Sequence, residues 1–278
     1  MRFRGKIIDI GCIQHFTRVV TTISKLVKSC TLRITTDTLY FILSERMVTG
    51  GTGIWCQVSQ NHFFDEFNLD GVSAEANEIY LEVNPDLMVR ALRTAQNAKS
   101  VKIKLTKKHM PCLTLEVELP TLAAHSRLVT HDVPVNVIPR RLWDEFEEPE
   151  LPDFDVTLFM PCVKILRNVV DRMKNLSNFL TISANNSGEM NFGVSTDIAT
   201  IKTHFKDVGH PNWRETSDRD PKEFADARID IRKLAQFLVG QQLSSVKIIC
   251  NLVHEHLAHF FIVHDDVSLQ YSLPVVNS

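Results

Sequence analysis

Three histidines near the carboxyl end of the chain have the types and spacing that could do chemistry. His254 and His256 flank Glu255, and His259 follows three positions later. Imidazole nitrogens bind zinc, and His254 and His256 would point to the same side if this stretch were a strand. Surface histidines without a ligand show this spacing more often, and the zinc-protease sequence H-E-x-x-H does not occur. We therefore expect no metal here, and we keep a nucleic-acid-processing enzyme based on these histidines as an alternative.

Other catalytic motifs are missing from the sequence. The run Gly-Gly-Thr-Gly at 50–53 lacks the Lys-Ser/Thr ending of a phosphate-binding loop. The acidic pairs Asp153/Asp155 and Asp265/Asp266 show no setting typical of paired-carboxylate catalysis, and no serine nucleophile elbow is present. These absences favour a binding or scaffolding protein over an enzyme, and no cofactor is expected.

The composition is that of a globular protein with a substantial core. Of the 278 residues, 44% are hydrophobic and 23% are charged, which suits one large domain or two of ordinary size. The six cysteines are scattered singly without a C-x-x-C pair, which indicates reduced thiols in a cytosolic or nuclear protein. No apolar stretch reaches the roughly 18–20 residues that span a bilayer, so no membrane is expected as a partner.

The positive charge of the chain is concentrated in four segments with helical patterns. These segments hold 12 basic and three acidic residues, a net +9, whereas the rest of the chain has a net charge of −11. Charge sorted in this way indicates a surface for a polyanion, although a solvated helix face is the ordinary explanation for any single segment. The predicted helices cover residues 11–28, 85–99, 162–176 and 230–242.

Each predicted helix has an apolar stripe, with its basic residues assigned to the opposite face. In the first helix Ile13, Phe16, Val20 and Ile23 form the stripe. Aromatic side chains are absent from the basic faces, which favours loose contact with phosphates over base stacking. The candidate DNA-facing residues are Arg18, Lys25, Lys28, Arg90, Arg93, Lys164, Arg167, Lys174 and Lys233.

The remaining pattern is rich in strands and repeats once along the chain. In both halves a strand leads into a helix, and further strands, a second helix and more strands follow. The two helices of the second half are offset from their counterparts by 151 and 145 positions, which indicates two copies of one unit. The predicted strands are 3–10, 32–42, 54–58, 79–83, 101–105, 113–119, 156–160, 179–184, 189–194, 198–205, 227–229, 246–252, 257–263 and 267–273, with a hairpin turn at 185–188.

A proline-flanked acidic segment separates the two copies. The predicted organisation is an amino-terminal domain at 1–138, a connecting loop at 139–154 and a carboxyl-terminal domain at 155–278. Leu142, Trp143 and Phe146 either shape a pocket for partner peptides or simply pack onto the sheet, and both interpretations stay open. A polar stretch without periodicity, 210–226, is expected to be a long surface loop.

Short motifs in order along the whole chain carry a family resemblance. The sequence resembles the Hus (hydroxyurea-sensitive) checkpoint subunits of the nine-one-one DNA-damage clamp, which are relatives of the PCNA sliding clamp. The matching stretches are FRGKIID at 3–9, TLRI at 31–34, GVSAE at 71–75, ALRTAQNA at 91–98, HDVP at 131–134, VIPRRLW at 137–143, THFKD at 203–207, DIRKL at 230–234, GQQ at 240–242 and DVSLQY at 266–271.

The resemblance implies an α+β fold of the DNA-clamp type, with two β-sheet units of two helices each joined by an interdomain connecting loop. It implies a heterotrimer with two Rad-type clamp subunits, a loader related to replication factor C, and helices lining a hole around double-stranded DNA without sequence choice. It further implies support of ATR checkpoint signalling, recruitment of repair enzymes, and a nuclear location with a cytoplasmic pool. Subunits would meet at sheet edges near 131–138 and 198–205. The alternatives are a self-assembling homotrimeric clamp and a sheet-rich interaction protein without a DNA role.

Overall fold

The computed structural model describes residues 1–44, 52–73, 75–121, 127–212, 219–240, 247–264 and 266–276. Two compact units emerge from its contacts. The first comprises Met1–Leu43 and Cys56–Glu147, and the second comprises Ser44–Trp55 and Glu148–Ser278. No helix within the described ranges is both long enough and apolar enough to cross a membrane.

Strands make up the larger part of the regular secondary structure. In the first half they are β1 (Arg2–Ile7), β2 (Cys30–Ile34), β3 (Thr38–Ser44), β4 (Gly53–Ser59), β5 (Glu66–Asp70), β6 (Ile79–Val83), β7 (Ser100–Lys107), β8 (Pro111–Leu119) and β9 (Arg127–Val137). In the second half they are β10 (Val156–Phe159), β11 (Phe179–Ala184), β12 (Met190–Ser195), β13 (Thr200–Phe205), β14 (Ala225–Asp230), β15 (Ile248–Val253), β16 (Leu257–His264) and β17 (Val267–Pro274).

Helices follow strands at corresponding places in the two units. They are α1 (Ile10–Leu26), the single turn α2 (Gln60–Phe63), α3 (Pro85–Arg93), α4 (Val163–Met173) and α5 (Ile231–Gly240). Helix α1 packs against α3, and α4 packs against α5. A 3-10 helix, Arg140–Phe146, follows β9.

Local sequence explains where the helices begin. The Asp9 carboxylate accepts a 2.8 Å hydrogen bond from the Cys12 amide at the start of α1, which satisfies an otherwise free N–H group. Asn84 caps α3 in the same way, and Pro85 occupies the first helical position, where a missing N–H costs nothing. In α1 the predicted stripe is buried, because Ile13 and Phe16 are each 1% exposed. The apolar pattern therefore sets which face each helix turns to its sheet.

Every strand pair whose register the structure describes is antiparallel. In the first unit, neighbouring strands follow the order β3-β2-β6-β9-β8-β7-β1-β5. In the second unit one sheet has the order β10-β15-β16-β17 and the other the order β13-β12-β11-β14. Alternating buried side chains from these strands meet the helical stripes and form the core of each unit.

Several predicted element boundaries were wrong. The predicted strand 32–42 is two strands, because Thr35 donates a 3.0 Å backbone bond to Thr38 and turns the chain. The strand predicted at 3–10 ends at Ile7, since Asp9 becomes the helix cap. Strands β5 and β9 were not among the predicted strands. The helices are shorter than predicted, and positions 241–242 of the fourth lie outside the described residues.

The hairpin turn predicted at 185–188 is confirmed. Gly188 has φ +88°, a conformation that glycine adopts at little cost. The Asn185 side-chain oxygen accepts bonds from the amides of Ser187 and Glu189, each at 3.1 Å, and so fixes the turn. In the predicted loop 210–226, the Arg219 side chain is only 15% exposed and pairs with Asp155 and Glu223, so this part of the loop is held against the unit.

Candidate nucleic-acid interface

In the first unit the predicted contact residues lie on the solvent side of the helical pair. Arg18 and Lys25 on α1, and Arg90 and Arg93 on α3, are exposed, and Lys28 follows two residues after α1 ends. None of these five cations forms an ion pair with a described residue. Their charges are therefore available to an anionic partner.

In the second unit two of the predicted cations are exposed to solvent, and they differ in whether they form an ion pair. Lys164 on α4 is exposed and has no ion-pair partner among the described residues. Lys174, at the carboxyl end of α4, is 2.6 Å from the Asp171 carboxylate, a neighbour on the same helix face. An exposed pair of this kind is weak, so Asp171 lowers the local charge without holding Lys174 rigidly.

The other two predicted cations of the second unit bind groups of the chain itself. The Arg167 guanidinium donates to the carbonyl oxygens of Leu238 at 2.7 Å and Val239 at 3.5 Å, at the carboxyl end of α5. The Lys233 ammonium donates to the Thr52 hydroxyl at 2.5 Å. A cation at a helix carboxyl end stabilises the unpaired carbonyls, so Arg167 has a structural role.

Helix geometry explains why these two side chains turn inward. Arg167 and Lys233 lie on the flanks of the buried stripes of their helices, where a long side chain can reach a polar group of the chain. Arg172 on α4 and Arg232 on α5 are also exposed, and the predicted set contained neither.

The outer face of the first unit's sheet carries balanced rows of charge. On β1, Arg4 and Lys6 both pair with Glu66 of β5, at 3.3 and 3.6 Å. On β7, Lys104 holds Glu116 of β8 at 2.7 Å. Rows of opposite charge on neighbouring strands stabilise a solvent-facing sheet. This face is therefore charge-compensated.

Acidic residues are concentrated instead in the connecting segment. Between 139 and 154 the chain has six acidic and two basic residues. Its 3-10 helix lies against the first unit, where the Trp143 ring stacks on Tyr80 with centroids 4.4 Å apart. The Trp143 Nε1 donates a 3.1 Å bond to the Ile138 carbonyl, and Phe146 lies at 6.2 Å from the Tyr80 ring. Leu142, like these two aromatic residues, is half-buried.

Trp143 is the first member of a longer stack that continues with Tyr80, Arg33 and Tyr40 on three neighbouring strands. The Arg33 guanidinium lies 5.5 Å from the Tyr80 ring on one side and 5.1 Å from the Tyr40 ring on the other. Register explains this arrangement, because Arg33 is directly opposite Tyr40 on β3 and Tyr80 on β6. Glu78 accepts two bonds from Arg33, at 2.8 and 3.1 Å, and keeps its guanidinium plane in place.

The end of the connecting segment is fastened to the second unit. Glu148 accepts a 3.1 Å bond from Gln270, and the Phe154 ring stacks on His259 at 5.3 Å. His259 is 2% exposed, and its two ring nitrogens bond Asn251 at 3.0 Å and Gln270 at 3.3 Å. Burial lowers the pKa of His259 to about 4, so the ring is neutral near pH 7.

The three C-terminal histidines do not form one site. Residues 254–256 are the turn between β15 and β16, so His254 and His256 do not share a strand face. The His254 ring accepts a 3.0 Å bond from the Asp226 amide, and the buried His259 is engaged as described. In the ranges that the structure describes, no three histidine, cysteine or acidic side chains are grouped to hold a metal ion.

These observations describe two sheet units, each with a helical pair, and cations on the solvent side of those pairs. A family model described as Hus1-like protein matches residues 1–277. The chain belongs to the Hus1-like family. The family resemblance stated from the motifs is therefore confirmed over essentially the whole chain.

Individual relatives agree with this assignment. The chain is 50% identical over 280 residues to the human protein named Checkpoint protein HUS1, with all of both chains covered. It is 30% identical over 263 residues to Checkpoint protein hus1 of Schizosaccharomyces pombe, covering 90% of this chain and 88% of the relative. Both relatives are matched over nearly their full lengths.

The fold is that of the PCNA clamps. The crystal structure of Proliferating Cellular Nuclear Antigen from Entamoeba histolytica matches with a TM-score of 0.72 over 99% of both chains, at 11% sequence identity. Similarity at that identity concerns the fold alone. It confirms the predicted α+β clamp fold of the Hus1-like chain.

Proposed function

We propose that the chain is a non-enzymatic subunit of a heterotrimeric checkpoint clamp that encircles duplex DNA. The observation that carries the proposal is the row of exposed cations on α1 and α3, Arg18, Lys25, Arg90 and Arg93, in a chain of the Hus1-like family. Flexible cations without stacking aromatic residues bind phosphate loosely and without reading bases, which suits a ring that slides. The checkpoint role follows from the names of the relatives.

The finer assignments follow from the family resemblance. The two partners are Rad-type clamp subunits, and a loader related to replication factor C places the ring on DNA. The assembled clamp supports ATR signalling and recruits repair enzymes in the nucleus, with a cytoplasmic pool of the chain. The connecting loop 139–154 joins domains 1–138 and 155–278. Leu142, Trp143 and Phe146 are candidates for contact with partner peptides.

The nine candidate contact residues do not support the DNA role equally. Lys25, Arg93 and Lys164 are exposed and have no ion-pair partner among the described residues. Arg167 and Lys233 instead donate hydrogen bonds to a carbonyl and a hydroxyl group of the chain itself. We therefore assign DNA contact first to the exposed cations of the first unit and to Lys164, and a structural role to Arg167.

Assembly and retention on DNA test the proposal together. The chain is co-purified with the other two clamp subunits of its organism and loaded onto closed circular DNA. We expect one copy of each subunit, retention on the circle at high salt, and release when the circle is cut. A stable homotrimer of the chain alone would contradict the heterotrimer, and equal retention on cut DNA would contradict encirclement.

A further inference from the structure

The sheet of the first unit ends at an open strand, β5. It is the last strand in the order and pairs with β1 alone in the part of the chain that the structure describes. Five residues of β5 face five of β1, from Glu66 opposite Lys6 to Asp70 opposite Arg2. The other side of the β5 backbone therefore has no ladder partner among the described strands. An edge of this kind can accept one more strand.

The corresponding edge of the second unit is covered differently. The first strand there is β10, which leads into the first helix of its unit as β1 does. Among the described residues, its free side receives one backbone bond, 2.9 Å from the Phe159 amide to the Gly209 carbonyl, and no further strand. A unit of this fold therefore does not need a five-residue strand at this position, and β5 is a candidate for a role beyond the fold.

Strand β5 is held in place at both ends. At its start the Asp65 carboxylate accepts a 2.7 Å bond from the Ile8 amide, and the Asp65 amide donates to the Lys6 carbonyl at 2.8 Å. At its end the Gly71 amide donates to the side-chain oxygen of Asn77 at 2.7 Å. A strand that is fixed beforehand loses little conformational entropy when a partner pairs with it.

The inner side of β5 leaves apolar surface partly open at the edge. Phe67 and Leu69 are half-buried, whereas Phe3 on the neighbouring β1 is 3% exposed. The Phe67 ring packs edge-on against the rings of Phe3 and Phe64, with centroids 5.3 Å apart in each case. Val72, just after β5, is 48% exposed. Apolar side chains at alternate positions of an added strand would cover this surface.

The outer side of β5 indicates the charge of the partner. The segment 65–70 holds three acidic residues and no basic residue. The Asp70 carboxylate is exposed and has no ion-pair partner among the described residues. The Glu66 side chain remains 41% exposed while it pairs with Arg4 and Lys6. A lysine or arginine opposite Asp70 or Glu66 is favourable, whereas a carboxylate there is repelled.

A second copy of the chain does not fit this edge. Antiparallel pairing of two β5 strands around Asn68 would place Glu66 of each copy opposite Asp70 of the other. Like charges directly opposite each other on neighbouring strands are destabilising. Strand β5 is also distinct from 131–138 and 198–205, the stretches where clamp subunits are expected to meet. The occupant is therefore a different kind of chain.

We propose that β5 binds an extended segment of a partner protein in which basic and apolar side chains alternate. The segment adds one strand to the sheet. Its basic side chains lie against Glu66 and Asp70 on the outer face, and its apolar side chains lie against Phe67 and Leu69. The inference goes beyond the proposed function and does not rest on it, because the open edge, its fastened ends and its charge belong to this chain alone.

The test uses the full-length chain and two synthetic peptides of equal length, one alternating lysine with valine and the other alternating glutamate with valine. Fluorescence anisotropy measures binding, and hydrogen exchange of the backbone amides locates it. We expect the lysine peptide to bind more tightly and to slow exchange within 66–70. Asp70→Lys should weaken its binding by about 3- to 10-fold, because an opposite-charge pair becomes a like-charge pair.

Glu145→Lys is the matched control. Glu145 is an exposed acid in the 3-10 helix of the connecting segment, so its reversal should leave binding of the lysine peptide unchanged. Thermal unfolding of both variants checks that the fold is intact. The comparison of the two peptides on the wild-type chain tests the charge preference even if a variant fails to fold.

Several results would overturn the proposal. Failure of the lysine peptide to bind at millimolar concentration, or binding without slower exchange in 66–70, would show that β5 is not a docking edge. Equal weakening by Asp70→Lys and Glu145→Lys, or equal binding of the glutamate peptide, would remove the charge preference at β5. A dimer of the free chain with protected β5 amides would make a second copy the occupant. None of these results bears on ring assembly, so the proposed function is tested separately.

Discussion

At the residue scale, burial makes His259 a sensor of acid conditions. The ring is 2% exposed, and burial lowers its pKa from an ordinary 6.5 to about 4. The unfolded chain therefore binds a proton between these values that the folded chain does not bind. By linkage, the stabilisation is fully present above pH 6.5 and is lost as the pH falls toward 4. The loss amounts to up to about 3 kcal/mol.

The first prediction concerns this histidine. His259→Gln should flatten the dependence of the unfolding free energy on pH between 6.5 and 4, because the glutamine does not titrate. Urea unfolding at pH 7, 5.5 and 4.5 measures the slope for both chains. His256→Gln, in an exposed turn, is the control and should keep the wild-type slope. The same slope in all three chains would show that His259 is not the titrating group.

Arg167 provides the second prediction. Arg167→Met keeps the aliphatic stem but leaves the Leu238 carbonyl without its 2.7 Å donor. The loss of a charged hydrogen bond predicts destabilisation by about 1.5–3 kcal/mol. Lys164→Met, on an exposed position of the same helix, should change stability by less than about 0.5 kcal/mol. Urea unfolding midpoints measure the stability of both variants. An equal loss of stability in the two would contradict a capping role for Arg167.

Individual side chains were also the hardest part to predict from the sequence. The buried stripe of α1 follows from spacing alone, because Ile13, Phe16 and Val20 recur on one face. Arg167 and Lys233 were assigned to outward faces, but they lie at the flank of the stripe. A long cation there can bend toward a carbonyl that is distant in sequence. Spacing within one helix contains no information about such a partner.

At the element scale, the stack on the first unit's sheet holds the connecting segment. Trp143→Ala removes the ring that stacks on Tyr80 at 4.4 Å and the bond to Ile138. We predict destabilisation by about 2 kcal/mol and faster proteolysis within 139–154. Phe146→Ala should have a smaller effect, because its tilted ring is 6.2 Å from Tyr80. Urea unfolding and limited proteolysis measure both, and equal proteolysis of Trp143→Ala and wild type would contradict the role.

Elements with strong local signals were predicted well. Helix α3 begins at Pro85 as predicted, because Asn84 and Pro85 give a clear start. Strands β6 and β11 match their predicted limits. The β2–β3 hairpin was missed because its turn, Thr35 to Thr38, contains neither glycine nor proline, and threonine hydroxyls make the bonds instead. Strand β5 was missed because Glu66 and Asp70 interrupt its apolar pattern.

At the scale of the whole molecule, the charge distribution predicts how DNA binding responds to salt. In the assembled clamp, Lys25→Glu with Arg93→Glu should lower the slope of log affinity against log salt by about 2, since each phosphate contact contributes about 0.9. Lys102→Glu, on the outer sheet face of the same unit, should leave the slope unchanged. Fluorescence anisotropy on duplex DNA at several salt concentrations gives the slopes. Equal slopes would indicate that the helical cations are merely solvated.

The general architecture was more predictable than the arrangement of its strands. Two copies of one unit and the clamp fold followed from the repeat and the family motifs, and the fold is confirmed. The strand neighbours did not follow, because β1 pairs with β5 and β7, whose residues Glu66 and Val101 are distant in sequence. Registers of this kind depend on tertiary packing, which a periodic pattern does not encode.

The fastenings of the connecting segment have an evolutionary consequence. Trp143 fixes one part to the first unit, and Glu148 and Phe154 fix another to the second. The number of residues between Glu148 and Phe154 can change during evolution, because lengthening a loop between two fixed ends costs little conformational entropy. Insertions and deletions among orthologues should therefore accumulate at 149–153, while the spacing from Ile138 to Trp143 stays constant.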